Sequence, residues 1–170
     1  MLTFRNFSKV SHSERQYLNL INHILFFGEK EKGRNGNVIT TTGTGMRFSL
    51  ENNILPVFTS KKMAWKTCIK ELLWFISGNT NNKVLNDQNV HIWDGNGSRE
   101  YLDSRGLTHL KENDLGPIYG HQWRHYNAPY SKEYGCLENY DGKGVDQLQN
   151  IIDGLINPET RTSRRHIMSA

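Results

Sequence analysis

Glu71 is a carboxylate in an unusual place. It lies in "KMAWKTCIKELLWFIS", residues 62–77, where apolar side chains recur at helical spacing. On that wheel Glu71 falls between Ala64, Cys68 and Phe75, beside the apolar stripe and away from Lys66 and Lys70. A carboxylate on an apolar arc loses solvation, which suits it to moving protons near neutral pH. The plainer alternative is a glutamate at the edge of a core, reaching out to water. Tyr119 is the second candidate. In "NDLGPIYGHQWRHY" the Gly116-Pro117 pair and Gly120 fix the backbone path and present Tyr119 between glycines. A tyrosine so placed either donates a hydrogen bond to a ligand or plugs a tight loop with its ring. His121 and His125 stand four apart, a spacing that suits a metal pair on a helix. No third ligand is evident and the local sequence is not clearly helical, so no metal site is expected.

Three arginines form the remaining set. Guanidinium forks match phosphate oxygens in paired hydrogen bonds. Arg34 sits in the glycine-bearing stretch "GEKEKGRNGN", where backbone can approach a ligand closely. Arg164 and Arg165 are adjacent in "SRRHIMSA", where they lead into an apolar run resembling the start of a strand. Taken alone they read as an exposed pair. The "GTG" at 43–45 has the spacing of neither a P-loop nor a dinucleotide fingerprint.

The elements that must position these groups follow from periodicity. Residues 14–27 place Tyr17, Leu20, Ile21, Ile24 and Leu25 on one helical face, with Ser13 as N-cap and Gly28 as stop. Residues 37–50 are rich in β-branched residues and read as strand, bend, strand. The helix over 62–77 carries a stripe of Trp65, Ile69, Leu72, Leu73 and Ile76, expected to pack on a sheet, and Gly78 ends it. A short helix is expected within 79–89, a short strand entering a turn at "VHIWDGNGS", and a polar, surface-lying segment over 97–115. A last helix spans 144–156, with Val145, Leu148, Ile151, Ile152 and Leu155 on one face, and Asn157-Pro158 closes it.

Composition sets the frame. A chain of 170 residues suffices for one domain with a core, but 36% hydrophobic residues and a mean hydropathy of −0.67 suggest a missing or partner-covered surface. There is no run of about 18 apolar residues and no signal-like start, so no membrane span or export signal is expected. Cys68 and Cys136 have neither metal-ligand spacing nor a disulfide framework, which points to a reducing, cytoplasmic setting. The net charge of +4 suits an anionic ligand such as a phosphate, but singles out none. The basic residues are scattered, so nucleic acid is not an expected partner.

Taken in order, "ELLWFISGNTN" (71–81), "IWDGNGSREYLDS" (92–104), "DLGPIYGHQWRH" (114–125), "GVDQL" (144–148) and "SRRHIMSA" (163–170) closely resemble thymidylate synthase. The resemblance runs from about Gln16 to Ala170 and covers only the first part of that family's usual length. It implies an α+β single domain over residues 1–170, with helices on a mostly mixed β-sheet, as the truncated N-terminal portion of the catalytic domain. It also implies reductive methylation of dUMP to dTMP, with 5,10-methylenetetrahydrofolate as co-substrate and no metal. Glu71 matches the glutamate that organises water and moves protons about the pyrimidine, and Tyr119 the tyrosine near proton abstraction. Ile92, Trp93 and Asn96 match positions flanking the folate. Arg34 matches the phosphate-loop arginine, although the loop reads "RNGN" where the family has Arg-Thr-Gly. Arg164 and Arg165 match the pair that reaches across a homodimer to the partner's phosphate. The family's nucleophile lies in a Pro-Cys-His motif that this chain does not contain, and neither Cys68 nor Cys136 matches it. The chain as given is therefore expected to be inactive. The alternatives are a pyrimidine-nucleotide hydroxymethylase of the same superfamily and a short non-catalytic dimerisation protein.

Overall fold

The computed structural model describes residues 12–33, 36–130, 140 and 142–170, which cluster into two compact units, Met1–Met63 and Ala64–Ala170. In the first unit, helix α1 (Arg15–Phe27) turns Tyr17, Leu20, Ile21 and Ile24 inward, leaves Leu25 exposed, and ends at Gly28. The expected Ser13 cap is replaced by Glu14 at the cap position, which makes no side-chain cap bond. Its carboxylate turns instead to Thr59 and Ser60, accepting from both backbone amides (2.9 and 2.8 Å) and both hydroxyls (2.6 and 2.5 Å). Four donors on one carboxylate hold its pKa down at about 2, the Ser60 hydroxyl contributing most.

Strand β1 (Glu29–Gly33) pairs antiparallel with β2 (Gly36–Thr40), in a register that sets Glu29 opposite Thr40 and Gly33 opposite Gly36. Half of this hairpin lies in the polar "GEKEK" run, which has no apolar alternation to announce a strand. The expected second strand within 37–50 is absent, since β2 ends at Thr40. Helices and this two-stranded sheet form the regular structure of the described residues; no mixed sheet occurs among them.

The second unit is helical. Helix α2 (Trp65–Ile76) is followed by Gly78, whose φ of +75° reverses the chain. The short helices α3 (Lys83–Asn86), α4 (Asp94–Gly97) and α5 (Arg99–Ser104) come next, then α6 (Tyr119–His125) and α7 (Gln147–Ile156). The core gathers Trp74, Leu85 and Val90, with Phe75, Val84, Trp93, Leu115 and Ile118 packed on it. Each fully buried aliphatic side chain here contributes about 1.5–3 kcal/mol.

The orientation of α2 differs from the expected one. Its Trp74 and Phe75 side faces this core, while the stripe of Trp65, Ile69, Leu72, Leu73 and Ile76 is exposed, from 37% for Ile76 to 59% for Leu73. The reason is that the described part of this unit has no sheet to receive the stripe, and its core forms on the Trp74 side. The expected strand at "VHIWDGNGS" is the helical turn α4, closed by Asn96 and Gly97 amides donating to the Trp93 carbonyl, both at 3.0 Å. The 97–115 segment is no surface appendage: Leu102 and Leu110 are buried and Asp114 is fully enclosed. Residues 163–170 form no strand, and no described segment joins them in a β-ladder. No described helix is long and apolar enough to cross a membrane.

Candidate functional site

Helix α2 carries Glu71 on the same side as Phe75, one turn apart. The Phe75 ring is the hub of an aromatic cluster. Trp93, Tyr119 and Trp123 meet it edge-on, with centroids at 6.4, 5.3 and 5.6 Å. Trp93 and Tyr119 also approach each other, at 6.4 Å. Within this cluster the Trp93 indole N–H donates a 2.8 Å hydrogen bond to Glu71 Oε1. Three residues singled out from sequence, Glu71, Trp93 and Tyr119, are thus brought together from α2, from the residue capping α4 and from the start of α6.

Helix α6 was not legible as a helix, because Gly116, Pro117 and Gly120 are breakers. The two glycines have local purposes. Gly116 takes φ +73° and donates its amide to Asp114 Oδ1 at 2.9 Å, closing a turn. Gly120 lets α6 lie against α2: an added Cβ would stand 3.0 Å from the Asn79 carbonyl oxygen and 3.1 Å from that of Phe75. The path presents Tyr119 at the cluster's rim, 47% exposed. Its ring meets Phe75 at a steep angle while about half of the residue is open to solvent.

Ile92 is exposed beside Trp93, and Asn96 lies on the exposed α4 turn. Arg164 and Arg165 are exposed in the segment after α7, and neither is ion-paired among the described residues. No described hydrogen bond or ring contact joins them to Glu71, Trp93 or Tyr119. Arg34 and Cys136 lie outside the described residues. Cys68 is a free, exposed thiol on α2.

Sequence reasoning passed over Gln147. Its side-chain amide donates to the carbonyls of Gln122 and Ser169, both at 2.8 Å, and its oxygen accepts from the Ser169 amide at 3.0 Å. One side chain thereby ties α6 to the segment that follows the two arginines. A salt bridge from Arg124 to Asp146, 2.9 Å, clamps the end of α6 to the N-cap of α7. The only sequence signal for Gln147 is its place in "GVDQL", where it reads as an ordinary helix residue.

His121 and His125 do lie together, with rings 5.7 Å apart, but they pack on tyrosines. His125 stacks on Tyr140 at 4.0 Å, and His121 meets Tyr130 and Tyr140 edge-on. No group of three metal-ligating side chains occurs among the described residues. Burial pushes both imidazoles below the usual histidine range, and a weak Ala128 carbonyl contact to His121 opposes it only in part.

Residues 15–170 match the family described as thymidylate synthase. A bifunctional dihydrofolate reductase-thymidylate synthase from Leishmania major is 51% identical over 89% of this chain and 29% of its own length. The bifunctional protein of Zea mays is 50% identical over 94% of this chain and 30% of its own length. A probable thymidylate synthase of Schizosaccharomyces pombe is 50% identical over 92% of this chain and 25% of its own length. The chain therefore spans less than a third of each of these relatives.

Proposed function

The chain belongs to the thymidylate synthase family, and from this we propose that the full-length protein converts dUMP to dTMP, with 5,10-methylenetetrahydrofolate as co-substrate. The observation that carries the reading is the 2.8 Å hydrogen bond from Trp93 to Glu71. It leaves Oε2 of the carboxylate free to accept from a water and holds the group in one orientation, as a proton-moving carboxylate requires. Tyr119, half-exposed at the rim of the same cluster, serves as the second group for proton transfer.

The residues present fit a flat heteroaromatic co-substrate. Trp93 is half-buried and fixed by its hydrogen bond, while Ile92 and Tyr119 offer exposed apolar and aromatic surface beside it. Ile92, Trp93 and Asn96 would hold the folate, which when bound supplies the one-carbon unit and the hydride. Arg34, Arg164 and Arg165 take the nucleotide phosphate. The latter two act in the site of the partner within a homodimer. Among the described residues neither is ion-paired, which supports phosphate binding, since an arginine already paired to a carboxylate has little charge to offer a phosphate. Residues 1–170 serve as the N-terminal portion of one catalytic domain, working in the cytoplasm.

The test is a product assay on the purified full-length protein with dUMP and the folate. Formation of dTMP together with dihydrofolate is expected. A hydroxymethylated pyrimidine with tetrahydrofolate left unoxidised would overturn the reading in favour of a hydroxymethylase.

A further inference from the structure

We infer that Asp94 is a positioning residue: its hydrogen bond to the buried Asn82 amide fixes the turn that aims the Trp93 indole at Glu71. The inference rests on the reading of Glu71 given above. Asn82 is fully buried and anchored several times over. Its backbone N–H donates to the Asn113 carbonyl at 2.9 Å, and its own carbonyl accepts the Leu85 and Asn86 amides that open α3. Its side-chain amide donates to Asp94 Oδ1 at 2.8 Å. The other carboxylate oxygen, Oδ2, lies 3.0 Å from His91 Nδ1.

The far end of the same turn is held independently. The Gly97 carbonyl accepts the Asn113 amide at 2.8 Å, and a Cβ on Gly97 would stand 3.2 Å from the Asn113 Cα. A closed circuit results: Asn82 to Asp94, along α4 to Gly97, across to Asn113, and back to Asn82. Trp93 sits where the chain enters this circuit, with φ −105° and ψ 0°. Releasing the Asp94 end removes one of the two fixings of this turn, and a small rotation at residue 93 moves the indole nitrogen off Glu71. Asp94 stays ionised for this task, because the Asn82 amide, and after it His91, hold its carboxyl below the ordinary range.

The experiment is a double-mutant cycle in the full-length enzyme, with kcat, KM and the pH profile of kcat measured. Trp93→Phe removes the indole donor. Asp94→Ala is expected to lower kcat about tenfold, with the KM for nucleotide little changed, and to cost less than about twofold more in the Trp93→Phe background, since the two act through one bond. Asp94→Asn, which keeps an oxygen for the Asn82 amide, should recover most of the rate. The Trp93 indole ¹⁵N–¹H resonance should move in Asp94→Ala and stay near its native place in Asp94→Asn. Should Asp94→Ala not fold, Asp94→Glu, which shifts the carboxylate by one methylene, carries the same cycle. Equal cost of the Asp94 substitution in both backgrounds would overturn the positioning role alone. An unchanged kcat and pH profile in Trp93→Phe would overturn the Glu71 reading, and the positioning role with it.

Discussion

The indole N–H of Trp93 ends 2.8 Å from Glu71 Oε1, bridging 22 positions of sequence. A buried or half-buried carboxylate with one oxygen committed to a neutral donor has a defined lone-pair direction on the other. In the full-length enzyme Glu71→Gln should therefore cut turnover by roughly 10²–10⁴, the range usual for a general acid–base group. Nucleotide affinity, measured by titration, should change little. Lost affinity with unchanged turnover would contradict the assignment.

Arg164 and Arg165 lend themselves to complementation. Subunits carrying Glu71→Gln and subunits carrying Arg164→Ala with Arg165→Ala should each be inactive as homodimers. Each lost charge-assisted bond weakens nucleotide binding about tenfold to a hundredfold. Mixing the two should restore activity, because one site of the mixed dimer then holds an intact glutamate and an intact arginine pair. Activity that stays absent after subunit exchange would place the arginines in their own subunit's site.

Gly120 tests the packing of α6 on α2. The Cβ of Gly120→Ala would press on two carbonyl oxygens, Asn79 and Phe75, at 3.0 and 3.1 Å. Backbone cannot yield as a flexible side chain can, so a loss of about 1–3 kcal/mol is expected. Chemical denaturation measures it.

Glu14 should make the N-terminal unit acid-sensitive. Its carboxyl titrates near 2 in the fold against an ordinary value of 4.5. The folded form thus binds its proton less readily, so the stabilisation is complete above about 4.5 and disappears as pH falls through about 2. Hydrogen exchange at the Thr59 and Ser60 amides, followed across that window, should accelerate, and Glu14→Gln should accelerate it already at neutral pH.

His121 and His125 set a second acid limb. Both are held below the ordinary imidazole value of 6.5 by burial, so their contribution is complete above 6.5 and falls away as pH drops below it. His121 is fully buried, and its Nδ1 has no hydrogen-bond partner. An uncharged ring suits that place, so His121→Phe should keep the fold and move the onset of acid unfolding to lower pH. An unchanged acid limb would assign it to other groups.

Much of the helical content was legible, because α1, α2 and α7 are long enough for a 3.6-residue period to show. The eccentric place of Glu71 on its wheel was legible for the same reason. Periodicity reports that a helix has two faces, however, and not what lies on each. Ile69, Leu72 and Leu73 form the cleaner stripe, yet Trp74 and Phe75 meet the core. Helix α6 was hidden by glycines that serve close approach and a turn. The polar contacts that fix the site, Asp94 with Asn82 and Gln147 with Gln122 and Ser169, join residues with no pattern between them. The acidic residue after Trp93 and the asparagine-rich stretch "NTNN" at 79–82 were the visible traces of the first.

Gln147 has a mechanical consequence. The segment from Ser163 onward makes no strand ladder, and its tie to the rest of the unit includes a single side-chain amide shared with the Gln122 carbonyl. Gln122 lies three residues beyond Tyr119 on one short helix. A tilt of that helix therefore bears on the arginine segment through this amide, so the seating of a tyrosine's helix is one of the things that sets where two guanidinium groups sit.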